Sequence, residues 1–182
     1  PMAAIHSSEN PELDKKSLAA LKAFGAPLST VFCLQHEYSC SSAAQRHGLV
    51  YVYGEFGGGG TVNTAAVDIV YNGIIRLLDH FEVLRSTERF NLPPNPDFRL
   101  VETVTGIDYI DTRRNYVFSP CSGLFVSSIG LNEKVRKEQT LGYIYLVDQP
   151  LEPPKEVCFE MDGLLIARRH PARVEPGDCL AQ

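Results

Sequence analysis

The stretch Leu49-Val50-Tyr51-Val52-Tyr53-Gly54-Glu55-Phe56-Gly57-Gly58-Gly59-Gly60 decides how this chain is read. Its first five residues are apolar, β-branched or aromatic, the composition of a buried strand. Beyond the glycines, Val67, Val70, Ile74, Leu77, Leu78 and Phe81 recur with a 3.6-residue period. That period predicts an amphipathic helix from about residue 64 to 81. Glu55 therefore falls at the carboxyl end of a strand that leads into a helix, where α/β sheets place their ligand crevices. The glycines remove Cβ atoms beside it, so backbone or substrate can come close. A carboxylate facing a cavity there is a candidate general acid/base. The plainer reading is a flexible turn with a solvated Glu. Two nucleotide readings fail. No Gly-Lys-Ser/Thr follows the glycines, and their spacing is not Gly-x-Gly-x-x-Gly after a first strand.

Upstream, Asn10-Pro11-Glu12-Leu13 predicts a helix start: an Asn cap, Pro at the first helical position and an acid in the first turn. Gly25 predicts its end and Pro27 prevents continuation. Residues 30–34 read as a strand, and 41–47 as a short helix stopped by Gly48. The order helix, strand, helix, strand, helix argues for an α/β sheet over 1–85. Pro93, Pro94 and Pro96 break the pattern and predict a linker over 86–97.

Past the linker the chain reads as an all-β domain over 98–182, with short β-rich runs at 98–104, 116–118, 124–127, 141–147, 156–159 and 164–167. This region repeats itself. Residues 116–124 are similar to 156–164, and 133–141 to 172–180. Two interlocked halves would close a small barrel with few bare edges. The pattern resembles the barrel-sandwich hybrid of biotinyl and lipoyl carrier domains. Lys155 lacks the exposed, methionine-flanked hairpin of a carrier lysine, so carriage is the lesser reading.

Composition narrows the function classes. The formal net charge is -5 and no basic stripe is present, so nucleic acid is not an expected partner. The longest apolar runs fall short of a membrane span, so no membrane partner is expected. The five cysteines are scattered, odd in number and without a Cys-x-x-Cys, which makes a reducing cytoplasm the expected compartment. Cys33, His36 and Cys40, with Glu37 and His47 nearby, form one loose ligand-type cluster, whereas structural zinc sites combine two paired motifs. His36 and Glu37 follow the strand at 30–34 and are candidates to line a substrate cleft.

Phe24-Gly25-Ala26-Pro27, Tyr53-Gly54-Glu55-Phe56-Gly57-Gly58-Gly59-Gly60, the long helix and Pro120-Cys121-Ser122-Gly123-Leu124-Phe125 together resemble the succinylglutamate desuccinylase/aspartoacylase family. Within it they are most similar to the bacterial branch of N-acetyl-diaminobutyrate deacetylases. The resemblance implies a zinc-carboxypeptidase-like α/β sheet domain followed by a small all-β domain. It implies hydrolysis of a small N-acyl amino acid, with self-association into a homo-oligomer left open. It also implies that a zinc ion polarises water while Glu55 takes the proton and returns it to the departing amine. In the family the zinc is held by a His-x-x-Glu pair near the start of the domain and a second His on a later strand. Ala4-Ile5-His6-Ser7-Ser8 is superficially similar to the segment bearing that second His, which makes His6 a candidate ligand. The Asn10-Pro11 helix follows too soon for that alignment, and an ordinary, partly buried His6 is the plainer reading. The expectation is that this chain is the C-terminal portion of a longer enzyme, with the acid/base but no metal ligands of its own. The alternative is a non-catalytic binding or assembly module, or a β domain that caps a cleft.

Overall fold

The computed structural model describes residues 1–32, 38–102 and 115–182. The chain divides into two compact units, Pro1–Thr105 and Gly106–Gln182.

The first unit is built around β1 (Met2–His6), whose central residues Ala3, Ala4 and Ile5 are at most 2% exposed. Helix α1 (Pro11–Phe24) follows. The Asn10 side chain accepts hydrogen bonds from the backbone N–H groups of Glu12 and Leu13, at 3.1 and 3.2 Å, satisfying two otherwise unpaired donors. Gly25 ends the helix at φ 73°, a left-handed conformation that favours glycine. Next come β2 (Leu28–Phe32), α2 (Cys40–Arg46), β3 (Tyr53–Glu55), α3 (Thr64–His80) and β4 (Leu100–Glu102). The sheet order is β3-β1-β2-β4. β1, β2 and β4 run parallel, and β3 is antiparallel to β1 on the edge.

Three expectations are corrected here. Residues 49–52 lie outside any strand, and β3 is a three-residue edge strand rather than a buried one. The strand expected over 98–104 as part of the β-rich region is found over Leu100–Glu102, paired with β2 in the first sheet. The chain is led there by the proline-rich stretch, which is itself bound to this unit. Arg76 donates to the carbonyl of Pro93 at 3.0 Å, and Asn95 donates to that of Lys22 at 3.2 Å. The third correction concerns α3. Val67, Ile74 and Phe81 were expected on its buried face, yet they are about half exposed. The packed face keeps Leu77 of the predicted stripe but is otherwise formed by Ala66, Ile69 and Gly73, because Gly73 admits the Phe24 ring of α1. Apolar periodicity does not score a glycine as a contact.

Among its described residues the second unit is all β. Its strands are β5 (Val117–Phe118), β6 (Gly123–Ser127), β7 (Lys134–Val135), β8 (Thr140–Tyr145), β9 (Lys155–Cys158), β10 (Gly163–Leu164), β11 (Arg173–Val174) and β12 (Cys179–Ala181). The internal repeat has a structural counterpart. β6 pairs with β11 and, equivalently, β10 with β7; β8 pairs with β9 and, equivalently, β12 with β5. Every such ladder crosses from one half to the other. Repeat-related residues also share one core: Val117 and Val157, Val135 and Val174, Leu141 and Leu180. This is the interlocked, barrel-sandwich-like arrangement that the repeat predicted. Glycines let the strands close. A Cβ at Gly142 would lie 2.2 Å from the Val126 carbonyl oxygen.

Leu141 and Leu180 are both fully buried at equivalent places. Leu141→Ala and Leu180→Ala are each expected to destabilise the chain by about 2–5 kcal/mol, read from urea unfolding midpoints. Gly142→Ala is expected to cost ~1–3 kcal/mol through overpacking against fixed backbone.

Candidate active site

Glu55 closes β3, and its position follows from register. Tyr53 pairs with Ala4, Gly54 with Ala3, and Glu55 with Met2. Side chains of directly opposed residues share a face, so Met2, Ala4, Tyr53 and Glu55 lie on one side of the sheet. Gly54 and Phe56 belong to the other side, where Ala3, Ile5, Leu21 and Phe24 form the helix-side core with Phe56 packed against it. Because β3 is antiparallel, Glu55 comes to the amino end of β1 and β2. The crevice rule for carboxyl ends of parallel strands therefore does not describe its place. Glu55 is exposed, so the cavity expected around it is not formed by the described residues of this chain.

The glycines divide into two roles. Gly54 lets the Phe56 ring fold back under the strand: a Cβ there would stand 2.5 Å from that ring. Gly58 and Thr61 form an antiparallel bridge, and Gly59 and Gly60 have φ of 65° and 66°. That tight turn leads to Asn63, whose side chain caps α3 by accepting from Ala65 and Ala66. No atom lies within 4 Å of where a Cβ would stand on Gly58 or Gly60, so the approach beside Glu55 is open along the turn.

Tyr53, two residues before Glu55, is fixed by rings. It stacks on His6 at 5.1 Å with an interplanar angle of 10°, and its hydroxyl lies 3.4 Å from His6 Nε2. Phe32 lies 5.8 Å from the His6 ring. Burial pushes the Tyr53 phenol up to about 12, with smaller contributions from Tyr51 and from the Glu55 charge. The hydroxyl therefore stays protonated near neutrality.

The other sequence candidates are placed elsewhere or not at all. His36 and Glu37 lie outside the described residues, as does Cys33. His6 ends β1 about 13 Å along the strand from Met2, inside the aromatic stack. The expectation that the chain contains no His-x-x-Glu is incorrect as to spacing, since His6 and Glu9 stand in it. Among the described residues, however, no three His, Cys, Asp or Glu side chains converge so as to hold a metal ion. An open groove of about 450 Å³, lined by Ser8, Asn10, Leu13, Ser42, Gln45 and Arg46 among others, was also missed. Its polar groups serve the fold. Gln45 donates to the His6 carbonyl at 2.9 Å, Asn10 caps α1, and Ser8 donates to Asp14 at 2.6 Å.

No protein-family model matches the chain. It is 32% identical over 182 residues to the N-alpha-acetyl-L-2,4-diaminobutyric acid deacetylase of Halomonas elongata, covering all of this chain and 50% of that protein. Its structure is similar to the succinylglutamate desuccinylase/aspartoacylase of Rhodobacter sphaeroides, with a TM-score of 0.82, 30% identity, and coverage of 99% of this chain and 52% of that one. It is also similar to the product-bound ectoine utilization protein EutE (DoeB) of Ruegeria pomeroyi, with a TM-score of 0.86, 28% identity, and coverage of 99% and 52%. The chain thus spans about half the length of these relatives. No helix among the described residues is long and apolar enough to cross a membrane.

The Tyr53 geometry predicts a pH effect. Its folded-state pKa of about 12 lies above the ordinary 10.0, so the stability it contributes is full below pH 10 and is lost as pH rises through about 12. Urea midpoints of this chain and of Tyr53→Phe, measured between those pH values, are expected to converge as pH rises.

Proposed function

We propose, on the premise that the chain belongs to the succinylglutamate desuccinylase/aspartoacylase family, that it is the C-terminal portion of an amide hydrolase acting on a small N-acyl amino acid, with Glu55 as its acid/base. The observation that carries this reading is the pairing of Glu55 with Met2 at the outer edge of the sheet. On this proposal the part of the relatives' length that this chain does not span completes the site, and the edge of β3 left unpaired among the described residues lies beside the carboxylate. The exposure of Glu55 in this chain is then the exposure of half a site.

The chemistry follows from one carboxylate within reach of water and amide. Glu55 takes a proton from a water molecule as its oxygen bonds to the acyl carbon. The carbon–nitrogen bond then breaks as the same proton passes to the nitrogen, giving a carboxylic acid and an amine; the acid's proton then moves to the amine, leaving a carboxylate and an ammonium. Proton transfer of this kind contributes about 10²–10⁴-fold to the rate. Among the described residues no ligand set for a zinc ion is present, and this proposal assigns its ligands to the part of the relatives' length that this chain does not span. Bound there, zinc would supply Lewis-acid polarisation. The relative's substrate, N-alpha-acetyl-L-2,4-diaminobutyric acid, is the first compound to assay.

A second reading has one observation of its own. Leu124, Val126, Tyr143 and Tyr145 adjoin across β6 and β8 and are exposed on its outer face, which suits a binding or assembly role for the β unit. Activity separates the two. In the complete protein, Glu55→Gln is expected to lower kcat about 10³-fold while circular dichroism stays unchanged, and a chelator is expected to abolish hydrolysis reversibly. A Glu55→Gln protein that kept more than a tenth of its rate would sink the acid/base assignment.

A further inference from the structure

Glu55 ends its strand, and the four residues Gly57 to Gly60 that follow Phe56 are all glycine. A glycine run loses much backbone entropy on folding and brings no side chain to anchor the strand end. The edge position makes this worse, since β3 pairs with β1 over only three residues. Between the carboxylate and the glycine run stands one side chain, Phe56.

The Phe56 ring leaves the Glu55 face for the helix-side core and lies against the Phe24 ring, with centroids 5.4 Å apart and planes tilted by 38°. It reaches there because residue 54 is glycine. A Cβ on Gly54 would meet two Phe56 ring carbons at 2.5 Å and the Met2 carbonyl oxygen at 2.6 Å. Phe24, which is 5% exposed, fits in turn because residue 73 is glycine: a Cβ on Gly73 would meet three Phe24 ring carbons at 2.5 to 2.7 Å. Arg76 closes the same joint by donating to the Phe24 carbonyl at 3.4 Å. Gly54, Phe56, Phe24 and Gly73 are thus interlocked in a column from β3 through α1 to α3. Each bare Cα is the socket for the next ring.

We infer that Phe56 is the positioning residue for Glu55, and that its ring, seated under Gly54 and against Phe24, holds the strand end that carries the carboxylate. This inference rests on the reading of Glu55 as acid/base. The ring acts through a single peptide bond, so its loss frees the backbone of residue 55 without altering the carboxyl group. Misplacement by about 1 Å is enough to cost roughly 10²-fold in rate, whereas substrate binding by groups elsewhere would be little changed.

The test uses the complete enzyme and the substrate above. Phe56→Leu and Phe24→Leu keep apolar volume in the core but remove the ring-on-ring seat; Gly73→Ala presses on Phe24 from α3 and gives an independent variant should either Leu substitution fail to fold. Kinetics are taken well below each variant's melting temperature and expressed per folded molecule from near-ultraviolet circular dichroism. The expected result is a fall in kcat of about 10- to 100-fold with KM within about threefold, and a Phe24→Leu/Phe56→Leu pair whose kcat loss is no greater than that of Phe56→Leu alone. A lower melting temperature with kcat per folded molecule unchanged would make Phe56 an ordinary core residue and overturn the inference. Glu55→Gln run in parallel keeps the two failures apart: full loss there with intact kcat in the ring variants overturns only the positioning role, while retained rate in Glu55→Gln overturns the acid/base reading as well.

Discussion

The pairing of β1 with β3 governs the first unit. β1 is buried in the middle and gives one edge to β2 in parallel and the other to β3 in antiparallel. Its register places Phe56 on the helix side and Glu55 on the opposite side. A slip by one residue would exchange the faces, burying a carboxylate among Ile5, Leu21 and Phe24 and expelling an aromatic ring. Burying an unpaired charge costs far more than burying a ring returns, so the alternation Tyr53, Gly54, Glu55, Phe56 leaves one acceptable register. The exposure of Glu55 and the burial of Phe56 are two sides of that one choice.

Antiparallel direction has a second effect. The end of β3 reaches the amino end of β1, so Glu55 stands beside Met2 and away from the carboxyl ends of the parallel strands. Tyr53 and His6, stacked further along the same face, give the strand a rigid footing. The tight turn at Gly58 to Thr61 then returns the chain to α3 within a few residues.

The second unit solves a different problem. Each half by itself offers at most an isolated pair of strands, which is only marginally stable in water. Exchange of pairing between the halves gives each strand a partner from the other repeat and gathers Val117, Val157, Leu141 and Leu180 into one core. Gly123 and Gly142 allow the close approach that β6 and β8 require, since a Cβ on either would meet backbone carbonyl oxygen at 2.5 Å or less.

Local chemistry was legible from residues alone. Asn10, Pro11 and Gly25 bound α1 because capping depends on side chains within a few positions of the helix end. The repeat in the β region was legible because both copies keep the same apolar positions, and Glu55 stood out through its glycine neighbours. The direction and edge position of β3, the recruitment of Leu100–Glu102 to the first sheet and the packed face of α3 were not legible. Each depends on a partner distant in the chain: Met2 for Glu55, Ser29 to Val31 for β4, Phe24 for Gly73. Periodicity reports which side of an element is apolar but not what lies opposite. The sequence by itself thus determined the helices with the caps of α1, the repeat of the β unit and the choice of Glu55 as candidate carboxylate. Only tertiary structure decided which face that carboxylate takes, because facing is set by register between strands distant in the chain, Met2 opposite Glu55, and by a ring that needs an empty Cα to enter the core.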